Sequence, residues 1–214
     1  MPPTRRQQYS DWHRLLSVVD FNRNEIIGYS LYDRQTYVSA TTPSLEFFQT
    51  RQSSIVNGNL TLPGQLPSGN HFLIQAIRVA ILADTSETAV AAPAAGVSNG
   101  AIEDVKELIY DGVGELTING RPFGTYPIDQ TPHGGGPQGV MSNVGTGTAP
   151  QSAQYQAATN GIPDPRAVYT LAMPISLPPM TNFIYKLTWN AVKTLIIGNT
   201  DIRVTFDGQL LRPR

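Results

Sequence analysis

GELTINGRPFGTYPI, residues 114–128, consists of two short runs of mixed apolar and polar residues joined at Asn119-Gly120. Both turn residues tolerate the positive φ of a type I′ turn, whose twist suits two antiparallel strands. The stretch therefore reads as a β-hairpin with strands over 114–118 and 121–128. Outward from it, runs rich in β-branched and aromatic residues recur between turn-formers. Strands are expected before the hairpin at 26–32 (IIGYSLY), 36–40, 54–62 (SIVNGNLTL), 71–83 (HFLIQAIRVAILA) and 107–110. After it they are expected at 167–175 (AVYTLAMPI), 182–189 (NFIYKLTW), 192–197 and 201–206, with Asp207-Gly208 turning the chain before GQLLR. Leu62-Pro63-Gly64, Leu66-Pro67 and Leu177-Pro178-Pro179 mark corners. Roughly ten strands without βαβ alternation predict an all-β fold, an antiparallel sandwich or barrel.

Helical signals are scarce. Ser10 is a suitable N-cap, and Trp12, Leu15, Leu16 and Val19 fall at helical spacing, which predicts a short amphipathic helix over 11–20 behind a basic arm, Met1 to Gln8. AIEDVKELI, 101–109, has an acidic start and apolar spacing, and fits either a helix or a loop ending in a strand.

The chain has 214 residues, 40% of them apolar, enough for one domain with a sizeable core. Charged residues make up 14%, against about 25% in an ordinary soluble domain, while 19 Gly and 17 Pro are plentiful. Such a surface suits a β-rich protein largely covered by neighbours. Cysteine is absent, which excludes disulfides, thiolate metal sites and thiol catalysis. No apolar run approaches the ~20 residues of a membrane span, and no secretory leader is recognisable. Arg5-Arg6 is followed by QQYSDWHR, too polar for a twin-arginine export signal. The net charge of −1 hides an arrangement. Residues 1–23 hold four Arg against two Asp; residues 84–164 hold nine acids against Lys106 and Arg121; residues 186–214 hold five bases against two acids. Basic ends and an acidic middle allow copies to attract one another, or a basic face to meet an anionic surface.

Between Asp129 and Asp164 lies QTPHGGGPQGVMSNVGTGTAPQSAQYQAATNGIP (130–163), without a single charge. A long loop kept in water normally carries charge, so this one is expected to settle against a neighbour. Two enzyme-like motifs lie in or near it. Gly96-Val97-Ser98-Asn99-Gly100 matches a nucleophile elbow and His133-Gly134-Gly135-Gly136 an oxyanion loop, but their order is reversed and no second His follows the Ser to act as base. Gly134, Gly136 and Gly139 fit a dinucleotide fingerprint, yet no strand leads into them and Pro137 interrupts. Asp20-Phe21-Asn22-Arg23-Asn24 starts like a calcium loop and then places Glu25 and Leu31 where Gly and Glu are needed. His13, His71 and His133 are isolated, so no metal, cofactor or small-molecule substrate is expected and the chain reads as no enzyme. Asn59-Leu60-Thr61 is a glycosylation sequon within an expected strand.

The run NGNLTLPGQLPSGNHFLIQAIRVAIL (57–82), followed by GELTINGRPFGTYPI (114–128), resembles the jelly-roll coat proteins of tailless icosahedral bacterial viruses (bacteriophages). The resemblance implies a single jelly-roll sandwich over 24–214 behind an N-terminal arm and short helix over 1–23. It implies a capsid protein of the virion, assembled in the host cytoplasm, with copies of itself and other virion proteins as partners. The candidate subunit-interface residues are Arg5, Arg6, Tyr9 and Trp12 of the arm and His133, Gly134, Gly135, Gly136 and Tyr155 of the uncharged segment. The arm is also a candidate contact to the genome or an internal membrane. The competing expectation is a β-sandwich carbohydrate-binding or lectin-like module, which would present Trp or Tyr as a flat platform.

Overall fold

The computed structural model describes residues 13, 23–82, 100–131, 138–144, 153–159, 168–196 and 198–214. Ten strands and one helix are described: β1 (Asn24–Tyr37), β2 (Ser44–Phe47), β3 (His71–Leu82), α1 (Gly100–Tyr110), β4 (Gly112–Ile118), β5 (Arg121–Pro127), β6 (Gln138–Val144), β7 (Ala153–Thr159), β8 (Tyr169–Leu177), β9 (Phe183–Trp189) and β10 (Thr200–Pro213). Two antiparallel four-stranded sheets run in the orders β1-β10-β3-β8 and β2-β9-β4-β5, with β6 and β7 forming a separate ribbon. Apart from that ribbon the strands are nested: β1 is antiparallel to β10, β2 to β9, β3 to β8 and β4 to β5.

Alternation builds the interior. In β1, Leu31, Asp33 and Tyr37 point inward while Ser30 and Thr36 face out; in β10, Ile202, Val204 and Phe206 are buried. The second sheet contributes Leu116, Ile118, Phe183, Tyr185 and Leu187 to the same core. Phe206 of the first sheet meets Tyr185 of the second with ring centroids 5.6 Å apart, and Phe48 bridges Phe183 and Phe206 at 5.5 and 4.8 Å. The two sheets thus close on one core, in a sandwich-like arrangement. Rings at these separations add attraction beyond the area they bury.

The hairpin at 114–128 forms as expected, with Asn119 at φ 50° and Gly120 at φ 73°. Other expectations are corrected. The segments 26–32 and 36–37 belong to one strand, β1, residues 38–40 turn instead of continuing it, and β2 was not anticipated. Residues 54–62 form turns with isolated bridges at Asp33–Gly58 and Leu62–Gln65, because the amides of Asn57 and Gly58 fold back onto the Ser54 carbonyl. Residues 107–110 end α1, whose span meets the helical alternative for 101–109. Residues 192–196 are irregular. Asp207-Gly208 does not turn the chain: β10 continues through it, and its register against β3 shifts there. The uncharged segment is not one continuous loop, since it contains β6 and β7. The arm and most of the expected helix at 11–20 lie outside the described residues.

Candidate interaction surface

The nested pairing sorts the connections onto two ends. β1 arrives at one end at Tyr37 and β10 departs from it at Thr200. The 38–43 turn, α1, the 128–168 connection and the 190–199 loop therefore share that end. Cross-bonds tie them together. Ala40 N donates to Lys193 O (2.8 Å), Lys193 N to Tyr37 Oη (2.7 Å) and Leu195 N to Ser39 Oγ (2.8 Å). α1 joins through Trp189 Nε1, which donates to Leu108 O (3.0 Å), and through Asp104 Oδ1, which accepts from Ile196 N (2.9 Å). The Asp111 carboxylate pairs with Lys193 and, as its hydrogen-bond partner, holds that ammonium's pKa above its ordinary value. On this braced end Val38, Val192, Ile196 and Tyr110 are 40%, 42%, 50% and 61% exposed. Four large hydrophobic side chains left in water, three on these cross-bonded loops and Tyr110 at the end of α1, suit a contact surface.

The opposite end carries the chain's entry into β1, where Arg214 N donates to Arg23 O (2.9 Å). Asn119, Gly64 and Leu66 bind Asn182, Phe183 and Met180 through backbone bonds of 2.8–3.0 Å. A shallow cavity of about 280 Å³ lies here, lined by Gln49, Thr117, Gly120, Asn182 and Ile184 among others. A second, of about 70 Å³, lies beside Tyr29, Asn59, Leu66 and Phe72. Both fall below the ~300–1,000 Å³ of ordinary small-molecule sites.

Charge follows the same two ends. Arg23, Arg212 and Arg214 gather where β1 begins, opposed there by Glu25, which pairs with Arg212. Asp104, Glu107 and Asp111 stand on α1 or just beyond it at the loop-bearing end, opposed there by Lys106 and by Lys193, which pairs with Asp111. On the outer face of the first sheet Arg34 pairs with Asp201 and Arg78 with Asp207, with Arg203 beside both arginines.

Of the expected interface residues, only Tyr155 falls within the described residues; its backbone sits in β7 opposite Ser142. Arg5, Arg6, Tyr9, Trp12, His133, Gly134, Gly135 and Gly136 lie outside them. Gly100 of the elbow-like motif opens α1. His71 starts β3 at the end opposite the one where α1 stands. Its imidazole is half-buried, and burial holds its pKa below the ordinary value. Trp189 is 3% exposed and offers no platform. Among the described residues no three His, Cys, Asp or Glu converge to hold a metal. No described helix is long and apolar enough to cross a membrane.

The sequon residue Asn59 has a different employment. Its Nδ2 donates to Tyr29 Oη (3.0 Å) and Ser30 O (2.8 Å), and its Oδ1 accepts from Tyr32 N (2.9 Å). The side chain thus satisfies the outer edge of β1 in place of a neighbouring strand. Asn59→Ala should cost about 2 kcal/mol in chemical denaturation, because groups it satisfies on β1 lose their partners. An unchanged midpoint would show that water replaces it freely.

No protein-family model matches the chain, and no match was found among curated proteins or solved structures.

Proposed function

We propose that this chain is a structural protein of a viral particle, a single jelly-roll subunit that self-assembles into an icosahedral shell. The observation that carries the reading is the nesting of the strands. With the β6–β7 ribbon set aside, eight strands pair as β1 with β10, β2 with β9, β3 with β8 and β4 with β5, and successive pairs fall alternately into two sheets. One long hairpin rolled up in this way supports the jelly-roll reading, a winding that serves shells, lectins and cupins. Fold alone does not select among these.

Three features favour the shell. The interior is filled by aliphatic and aromatic side chains, and the cavities described above are small and shallow. Only 14% of residues are charged, as suits a subunit covered on several sides. The two ends differ in charge, and Arg5 and Arg6 would extend the basic end, which matches an arm turned toward a genome or internal membrane while the loop-bearing end meets other copies and other virion proteins. The subunit on this reading resides in the virion and performs no catalysis. Sedimentation and electron microscopy of the purified chain should reveal closed assemblies of many symmetric copies. A strictly monomeric chain at high concentration, absent from any particle, would sink the proposal.

A further inference from the structure

The edges of both four-stranded sheets are guarded. Along β1, Asn59 and Gln52 occupy backbone groups of Ser30, Tyr32 and Arg34. At the other edge of that sheet, β8 carries Pro174 and breaks register against β3 between Ile74 and Ala76. In the second sheet, β2 is only four residues long, and β5 opens on Arg121-Pro122 and closes on Pro127. Short length, proline, charge and covering segments are the means by which natural sheets refuse an extra strand.

The β6–β7 ribbon, QGVMSNV and AQYQAAT, has neither proline nor charge. Among the described strands these two pair only with each other. A ribbon of two strands is marginal in water without a third strand or a covering layer. α1 lies closer to β7 than to β6, so that β6 is the more open edge among the described elements.

We infer that β6 is a strand-pairing edge whose occupant is β6 of a second copy of this chain, giving a four-stranded antiparallel ribbon β7-β6-β6-β7 about a two-fold axis. Identical strands related by such an axis necessarily run antiparallel, so the backbone pattern closes on itself. The occupant is a second copy because a neutral edge meets an equally neutral edge, with no charge left unmatched on either side. The acids of α1 do not oppose it. Pairing through β6 separates the two β7 strands, which α1 lies closer to, by three strand spacings, about 14 Å, beyond the ~8 Å screening length of physiological salt. This contact deepens the self-assembly reading above and rests on it.

The absence of cysteine supplies the test. Single cysteines are placed in turn at each position of β6 and β7 in the full-length protein, which is then purified and oxidised. Paired Cα atoms across antiparallel strands lie about 4.5–5.5 Å apart, within disulfide reach, so one position near the middle of β6 should yield roughly tenfold more cross-linked dimer than any in β7. Ser142→Lys, which puts a charge on the pairing edge, should abolish the β6 cross-link while leaving the circular dichroism spectrum unchanged. Sedimentation of the same samples separates the failures. Assemblies without a β6 cross-link, or with Ser142→Lys cross-linking as before, overturn this contact and leave self-assembly standing; a chain that stays monomeric overturns both.

Discussion

Gly208→Ala should lower the melting temperature by about 10 °C. A Cβ built at Gly208 would lie 1.8 Å from the carbonyl oxygen of Leu73 and 3.3 Å from the amide of Gln75. Both are backbone atoms of β3, at the place where its register against β10 shifts. A flexible side chain could step aside, but a central strand cannot, so a loss of about 4 kcal/mol is expected. Gly28→Ala in the neighbouring strand is the control. Nothing lies within 4 Å of its Cβ position, and the change should be neutral or stabilise by about 0.5 kcal/mol. Thermal melts followed by circular dichroism decide it. Equal melting temperatures for the two variants would mean that the register shift relaxes at no cost.

The second large effect belongs to Asp33. This side chain, on a residue 1% exposed, accepts from Phe48 N (2.6 Å), Gln52 Nε2 (2.8 Å), Arg34 N (2.9 Å) and Gln35 Nε2 (3.2 Å). It fastens the segment after β2 to the middle of β1. Asp33→Ala leaves the buried Phe48 amide without its acceptor and should cost about 3–4 kcal/mol in urea denaturation. Acidity gives a separate readout. Burial pushes the Asp33 carboxyl above its ordinary 3.8, while its hydrogen bonds pull the other way without cancelling the shift. With the folded-state value the higher, the folded state binds the proton more tightly than the unfolded chain does. The contribution is then fully present below the unfolded value and is lost as pH rises through the folded one. The stability difference between wild type and Asp33→Asn should shrink with rising pH across that window and level off above it. A difference that grows with pH would mean that the bonded carboxylate is the favoured form.

These two residues also show why the fold was only partly legible. Asn119-Gly120 could be read at sight because positive φ at two successive positions admits few residues. Asp207-Gly208 carries the same local signal, yet its glycine answers to the Leu73 carbonyl of a strand more than a hundred residues away. The run 54–62 has strand composition, but its task is to lay Asn59 along β1, which only the folded partner reveals. β6 and β7 were missed because Gln, Ala, Ser, Asn and Thr give no apolar alternation to detect. As for the surface, charge paucity and the uncharged run pointed to the region now occupied by β6 and β7. The braced loops around Lys193 and Ser39 were invisible, since hydrogen bonds between distant coil segments leave no periodic trace.

The nesting has a kinetic side. The inner strands of the first sheet are β10 and β3, and those of the second are β9 and β4. Neither sheet can be completed until β9 and β10 have been made, because β1 waits for β10 and β2 waits for β9. Loops of such length close slowly, and the strands made first remain unpaired meanwhile. Folding is therefore expected to be late, with neither sheet complete until β9 and β10 are in place.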